Sequence, residues 1–266
     1  MPDRIAGYQR RPDRRVGSKS EGCLAVLTPV DLAARADIVV TMLADDAASY
    51  AVHLGRGGLF ASTGSATLVE MGKMRPDHIA DLFATAPENI WVIDAPVCGA
   101  TQAAADADLL IMAGCRDDDA DLAAVFDAVS RQTIYLSQSG AGAVMKLAVN
   151  SLIHGIIQTL AETMTLAEAS GITSEQAFDV IAASAACAPM LKYRRPLYLN
   201  EADHDVTFTV ALARKHMEVT AQLADRRGTA MPQGRTTLAK LIEAEKAGYG
   251  ARDMASISTY MRKDTP

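Results

Sequence analysis

Hydrophobic residues in the first half of the chain form short runs separated by amphipathic stretches. The run "DIVVTML" (37–43) is continuous and β-branched, which is typical of a strand buried on both faces of a sheet. Four similar runs predict strands at 67–71, 90–97, 108–114 and 133–137. Helix-type segments lie between these runs, and two of them begin with proline or aspartate near the first turn, as helix N-termini do. This alternation predicts a Rossmann-type, doubly wound parallel α/β sheet.

The pattern changes after about residue 139, where no further strand is predicted. The predicted helices there are 142–170, 174–185, 205–227, 234–247 and 253–262. Gly171 and Gly228 follow helix ends, and Thr173 with Ser174 and the stretch 205–207 supply N-cap candidates. We therefore expect an α/β domain at 1–138 and an all-helical domain at 139–266, joined at the Gly/Ser-rich turn "SQSGAG".

The first of these helices carries polar residues at strict four-residue steps. They are Lys146, Asn150, His154, Gln158 and Glu162, and apolar residues occupy most other positions. Four-residue steps place side chains on one slowly drifting stripe. On spacing alone a solvent-facing stripe is favoured. The alternative is a stripe that faces a cleft, where a lysine can act as general acid or base and an asparagine can orient a substrate.

The segment "DAPVCGA" (94–100) is the second candidate for chemistry. A strand ends there, and a turn with Cys98 and Gly99 follows. Open α/β sheets bind ligands at the carboxyl ends of their strands, and backbone amides in such turns can hold a carboxylate or phosphate. The alternative is an ordinary strand and turn whose small residues only allow close packing.

Composition and charge narrow the functional classes. The chain has 266 residues and a formal net charge of −6, which argues against non-specific nucleic-acid binding. The basic N-terminus lacks the apolar stretch of a secretory signal, and no apolar run reaches the length of a transmembrane helix. The four cysteines are scattered without metal-binding spacing, so we expect no metal site and a reducing cytoplasm.

Together the two candidate segments resemble the β-hydroxyacid dehydrogenase family, which includes 3-hydroxyisobutyrate dehydrogenase and is related to 6-phosphogluconate dehydrogenase. The family pattern is D-A-P-V-S-G-G, followed about forty residues later by a glycine-led helix with K-x-x-x-N, as in 94–100 and 142–150 here. Other segments that resemble the family are "ADIVVTMLADDAA" (36–48), "VEMGKMRP" (69–76), "FTVALARKHMEV" (208–219) and "GYGARDMASI" (248–257).

The resemblance implies an NAD(P)-dependent oxidoreductase that interconverts a small 3-hydroxyacid and its semialdehyde or oxo acid. It implies that Lys146 is the catalytic lysine, with Asn150 beside it. The implied substrate-binding residues are Cys98, Gly99, Ala100 and Lys73. The implied cofactor-binding residues are Arg10, Arg11, Met42, Leu43, Lys73 and Lys215.

The chain departs from the family pattern most at its start. The glycine-rich G-x-G-x-x-G turn that holds the cofactor pyrophosphate is absent, and "RIAGYQRRPDRR" resembles the second strand of the family, so we hypothesise an N-terminal truncation. In that alignment Arg10 and Arg11 favour NADP(H) over NAD(H), the alternative being a solvated basic loop. Smaller departures are Gly72, Lys73, Cys98 and His216, which replace a serine, a threonine, a serine and an aspartate.

Two rival functions stay open at this stage. One is an imine-reductase-like enzyme on the same fold, against which Lys146 argues. The other is a truncated, non-catalytic homologue that only folds or dimerises, which the missing glycine motif supports. The family resemblance further implies a homodimer or homotetramer whose interface includes the helix from Gly142.

Overall fold

The computed structural model describes residues 6–9, 24–99 and 101–264. The chain divides into two compact units, Met1–Lys146 and Leu147–Pro266. The division falls inside a long helix, eight residues beyond the domain boundary predicted between 138 and 139.

The first unit alternates strands and helices. Its strands are β1 (Ala6–Gly7), β2 (Leu24–Ala25), β3 (Ile38–Thr41), β4 (Ala66–Glu70), β5 (Ile90–Asp94), β6 (Val97–Cys98), β7 (Leu109–Ala113) and β8 (Ser130–Tyr135). Its helices are α1 (Pro29–Ala33), α2 (Asp46–His53), α3 (Pro76–Thr85), α4 (Thr101–Ala105) and α5 (Ala120–Asp127), with a 3-10 turn at Leu59–Ala61. Strands pair in the orders β1-β2, β3-β4-β5 and β6-β7-β8.

Most strand pairs are parallel, and the predicted Rossmann-like class is confirmed. One prediction was wrong: the strand expected at 90–97 is two strands, because the chain turns at Ala95 and Pro96. The second piece, β6, runs antiparallel to β7, with Cys98 opposite Leu110. The short strand β2 was not predicted either.

Both faces of the central strand β4 are buried, as the β-branched runs predict. Leu68 packs with Val39, Val92 and Leu82 on one face. The next residue, Val69, belongs to a second apolar cluster with Ile93, Ile111 and Phe126 on the other face. Successive side chains of a strand point to opposite faces, so two separate cores are built from one strand.

The second unit is helical in its described residues. It comprises most of α6 (Ala141–Ala169), then α7 (Ser174–Ala183), α8 (Pro189–Tyr193), α9 (Arg195–Leu199), α10 (Val210–Arg226), α11 (Pro232–Ala244) and α12 (Ile257–Asp264). Short 3-10 turns lie at Glu201–Asp203 and Met254–Ser256, and a π-helical turn lies at Glu245–Tyr249. A core that includes Met164, Phe178, Met217 and Leu241 joins these helices.

Local signals fix the ends of several helices. Thr173 caps α7 through a capping box with Gln176, and Gly171 and Gly228 have positive φ, as predicted for their positions. The helix expected from residue 205 begins later, at Val210, because Thr209 accepts a hydrogen bond from the Leu212 amide. The five-residue helices α8 and α9 were not predicted.

Helix α6 is long and apolar enough, by length and composition alone, to span a membrane. Its best stretch has a mean hydropathy of 1.3, and 44% of that stretch is buried. The expectation from the sequence concerned uninterrupted apolar runs, whereas polar residues interrupt α6 at four-residue steps. Core helices of globular domains have the same properties, and Ile157, Leu160 and Met164 lie in the core of the second unit.

Candidate functional site

The carboxylate of Asp94 joins the end of β5 to the start of α6. Its Oδ1 accepts a hydrogen bond from the Gly140 amide at 2.7 Å, and its Oδ2 accepts one from the Ala143 amide at 2.8 Å. Amides at a helix start lack partners within the helix and favour a negative charge. Burial raises the pKa of Asp94, and these hydrogen bonds oppose the rise. The strand end thus fixes where α6 begins, and with it the place of Lys146.

Two glycines make room for this carboxylate. A Cβ on Gly114 would collide with the Asp94 carboxylate, and a Cβ on Gly142 would collide with the Met112 carbonyl and lie 2.9 Å from Asp94 Oδ2. Real side chains do not tolerate such approaches. The glycine that leads the predicted catalytic helix is therefore required by close packing against β5 and β7.

The side chains of Cys98 and Lys146 meet in the first unit. Lys146 Nζ donates a hydrogen bond to Cys98 Sγ at 3.3 Å, and both residues are half-buried. Cys98 is held by the pairing of β6 with β7, and Lys146 is held by the first turns of α6. The structure therefore brings together the two segments that were predicted to form one site.

Gly99 extends this cluster with exposed backbone. Its φ is +142°, and a Cβ there would lie 2.7 Å from Leu109 Cδ2 and 3.0 Å from Ala103 Cβ. This backbone conformation and this space admit only glycine. Gly99, next to Cys98, is exposed.

The turn after β4 packs against Leu43, which lies two residues beyond the end of β3. A Cβ on Gly72 would lie 2.6 Å from Glu70 Oε1 and 2.8 Å from the Leu43 carbonyl oxygen. The glycine that replaces a family serine is thus dictated by close packing. Leu43 and the turn that carries half-buried Lys73 therefore lie side by side at the carboxyl edge of the sheet, where two predicted cofactor segments are expected to meet.

Glu70 is buried beneath this turn with a pKa raised to about 7. Burial causes the rise, against hydrogen bonds to Thr41, the Gly72 amide and Ser49. Gly72 N donates to Oε1 at 2.9 Å and Ser49 Oγ donates to Oε2 at 3.0 Å. His53 Nδ1 lies 2.9 Å from the Ser49 carbonyl oxygen, and burial lowers the pKa of His53 to about 4. Because all three side chains are buried, this cluster supports the turn and does not meet substrate.

In the second unit, three of the stripe residues on α6 are buried. Asn150, His154 and Gln158 are 9%, 3% and 0% exposed, so the solvent-facing interpretation was wrong for them; Glu162 is exposed. Asn150 Nδ2 lies 3.4 Å from His216 Nδ1 on α10. The rings of His154 and His216 lie 5.4 and 5.1 Å from that of Phe208.

Comparison with known families decides the relationship. Residues 3–137 match the profile described as the NAD binding domain of 6-phosphogluconate dehydrogenase. Residues 140–261 match the profile described as NAD-binding of NADP-dependent 3-hydroxyisobutyrate dehydrogenase. The chain belongs to the β-hydroxyacid dehydrogenase family.

Individual members of the family show the same relationship along nearly the whole chain. Glyoxylate/succinic semialdehyde reductase 1 of Arabidopsis thaliana is 24% identical over 233 residues, which cover 86% of this chain and 80% of that protein. The NAD-dependent L-serine dehydrogenase of Pseudomonas aeruginosa is 26% identical over 250 residues, 91% of this chain and 84% of that protein. The Mycobacterium tuberculosis 3-hydroxyisobutyrate dehydrogenase, solved with L-serine, has the same fold: its TM-score is 0.83 at 21% identity, over 98% of this chain and 91% of that one.

The other residues that the family pattern assigns are only partly placed. Ala100, Arg10 and Arg11 lie outside the described residues. Met42 is 58% exposed, whereas the side chain of Leu43 packs against the core. Lys215 is exposed on α10 of the second unit. Their roles stay predictions, as do those of Lys146 and Asn150. No group of three metal-binding side chains occurs in the part of the chain that the structure describes.

Sequence reasoning missed the roles of Asp94 and Glu70. Asp94 was seen only as a strand end, because its partners lie 46 and 49 positions away. An acidic residue at a strand end, followed later by a glycine-led helix, is the signal that could have indicated the capping contact. For Glu70, the only local sign is Ser49 and His53 at helical spacing on α2.

Proposed function

We propose that the chain is an NAD(P)-dependent dehydrogenase or reductase that interconverts a small 3-hydroxyacid and its semialdehyde or oxo acid. The observation that carries this proposal is the 3.3 Å contact between Lys146 Nζ and Cys98 Sγ. It joins the lysine helix to the strand end that the family pattern pairs with it. Membership in the family and the activities named for its relatives support the proposal.

The first unit fits a nicotinamide cofactor at the carboxyl edge of its parallel strands. Thr41, Glu70 and Asp94 are in register across β3, β4 and β5, so the three strands end together. Just beyond β3, Met42 exposes apolar surface against which a ring can pack. Met42, Leu43 and Lys73 would hold the cofactor here. The preference for NADP(H) rests on Arg10 and Arg11 in the sequence.

Lys146 is the proton-transfer group of this proposal. A nicotinamide cofactor, when bound, would supply hydride transfer from or to the substrate carbon. Lys146 Nζ takes the proton of the substrate hydroxyl in the oxidation and gives it back to the carbonyl oxygen in the reduction. The family pattern assigns Asn150, four positions after Lys146 in the sequence, to the substrate as well.

The substrate carboxylate is the other group that needs a partner. The exposed backbone of Gly99 offers an amide next to Cys98, and Ala100 continues the same turn in the sequence. A cation such as Lys73 suits an acidic substrate. L-serine and 3-hydroxyisobutyrate are the first compounds to test, since both are small 3-hydroxyacids and both occur in the names of relatives.

Replacing Lys146 with alanine tests the proposal. We expect kcat for a 3-hydroxyacid to fall by about 10²- to 10⁴-fold, the range for a lost general acid–base group. Titration with NADPH and with NADH should give the same affinities as in the parent. The control is Lys192→Ala, which removes an exposed lysine on α8. A Lys146→Ala enzyme with the parent kcat would rule out the proposed role.

We further propose that the chain forms a homodimer or homotetramer through α6. Leu152 and Leu166 on this helix and Val180 on α7 are 66%, 70% and 71% exposed. Leu152 also lines a largely apolar groove of about 650 Å³, together with residues that include Ala148, Ile156, Ile181, Leu191 and Met231. Large exposed apolar surface is typical of subunit interfaces.

Sedimentation of a Leu152→Glu variant tests the assembly. The side chain is mostly exposed, so the variant should fold with an unchanged circular dichroism spectrum. A buried charge at an interface is costly, so the assembly should dissociate into monomers. A parent that sediments as a monomer, or a variant that stays assembled, would contradict this interface.

A further inference from the structure

Cys98 differs from the other described cysteines in what surrounds it. The Nζ of Lys146 donates a hydrogen bond to its sulfur, and the residue, like the other two, is only half-buried. Cysteines that react with peroxides combine a neighbouring cation with access to solvent. At Cys98 both conditions are met beside the residue to which we assign proton transfer.

Cys115 is half-buried too, but its charged neighbours are carboxylates. Burial raises the pKa of its thiol to about 11, and the carboxylates of Asp94 and Asp118 add to the rise. A thiol in such surroundings is inert towards peroxides at neutral pH. Cys187 lies in the second unit, with its Sγ 3.5 Å from the Ala188 carbonyl oxygen. These two cysteines therefore serve as internal controls.

We propose that Cys98 is a reversible oxidation site at which hydrogen peroxide switches the enzyme off. The sulfur attacks one peroxide oxygen, an S–O bond forms and the O–O bond breaks. The sulfur is oxidised by two electrons to a sulfenic acid. The other peroxide oxygen leaves as water with the thiol proton, so Lys146 is chemically unchanged. A thiol reductant reverses the step.

Geometry explains why oxidation would stop turnover. Only 3.3 Å separates Lys146 Nζ from Cys98 Sγ. A new oxygen on the sulfur must therefore lie close to the ammonium, where it accepts its hydrogen bond and fills the space that a substrate hydroxyl needs. The loss of activity rests on the role proposed for Lys146, whereas the oxidation itself does not.

The first measurement follows the chemistry without turnover. The full-length protein is treated with hydrogen peroxide in the presence of dimedone, which traps sulfenic acids, and its peptides are analysed by mass spectrometry. We expect the adduct on Cys98 and little on Cys115 or Cys187. In a Lys146→Met variant, labelling of Cys98 should be several-fold slower, because the ammonium is gone. Equal labelling of all three cysteines, or unchanged labelling in Lys146→Met, would overturn the proposal.

The second measurement follows activity. Peroxide should remove most of the parent rate, and dithiothreitol should restore it. Cys98→Ser, compared with its own untreated rate, should resist the same treatment, whereas Cys115→Ser should lose activity as the parent does. A Cys98→Ser enzyme that is inactivated as fast as the parent would refute the switch. A chain that never turns over but is labelled at Cys98 would refute the proposed function alone.

Discussion

The buried carboxyl group of Glu70 makes the stability of the protein depend on pH in a direction unusual for a glutamate. Only 1% of its surface is exposed, and burial raises its pKa from 4.5 to about 7. Replacing it with glutamine keeps the shape of the side chain. The amide oxygen can still accept from the Gly72 amide, and the amide nitrogen can donate to the Ser49 hydroxyl. The change therefore removes mainly the titration.

The sign follows from the protons bound in each state. Between about pH 4.5 and pH 7 the unfolded chain ionises this group while the folded protein keeps it protonated, so stability falls as pH rises. A shift of about 2.5 pKa units corresponds to about 3 kcal/mol. Below about pH 4 Glu70 adds no pH dependence to the free energy of unfolding. Above about pH 7 the whole destabilisation of about 3 kcal/mol is present. Glu70→Gln should thus gain about 3 kcal/mol relative to the parent across this window.

Urea denaturation of both proteins at several pH values measures the effect. The difference in the free energy of unfolding is the quantity to follow, because all other titrating groups are shared. Glu88→Gln, at an exposed position, controls for the loss of one negative charge. A difference between Glu70→Gln and the parent that stays constant from pH 4.5 to pH 7.5 would refute the raised pKa.

Two further changes test contacts of the second unit. Asp253 is buried; it pairs with Arg194 at 2.6 Å and accepts a hydrogen bond from the Thr207 amide at 2.9 Å. The Asp253→Asn change should lower the free energy of unfolding, measured by urea denaturation at pH 7, by about 3 to 5 kcal/mol. An unchanged urea midpoint would contradict this. His216→Phe removes the contact with Asn150, so KM should rise up to about tenfold while kcat changes little. His216→Gln, which keeps a hydrogen-bond acceptor, should bring KM part of the way back to the parent value. A parent-like KM in His216→Phe would exclude this positioning role.

Runs of apolar residues predicted most strands of the first unit, because a strand buried on both faces needs an apolar residue at nearly every position. Val69 and Leu68 show this directly. Periodicity could not reveal β6, which has only two residues, or the five-residue helices, which complete too few turns for a pattern. It also could not tell a buried polar stripe from a solvated one, since Asn150 has the same spacing in both cases.

The candidate site was predicted by resemblance and not by spacing. The contact between Cys98 and Lys146 joins positions 48 residues apart, and a single sequence does not encode such a pairing in any local pattern. The support beneath the site was missed for the same reason. Glu70 and Ser49 are 21 positions apart, and their hydrogen bond exists only once β4 and α2 are packed.

The close approach of Gly114 and Gly142 to Asp94 has a consequence for how this protein can change. At Gly142 any side chain would also meet the Met112 carbonyl oxygen, so this glycine is required whatever residue stands at 94. At Gly114 the nearest atoms all belong to the Asp94 carboxylate. Positions 94 and 114 are therefore coupled: in a library that varies both, a bulkier residue at 114 should survive only when the side chain at 94 has become smaller.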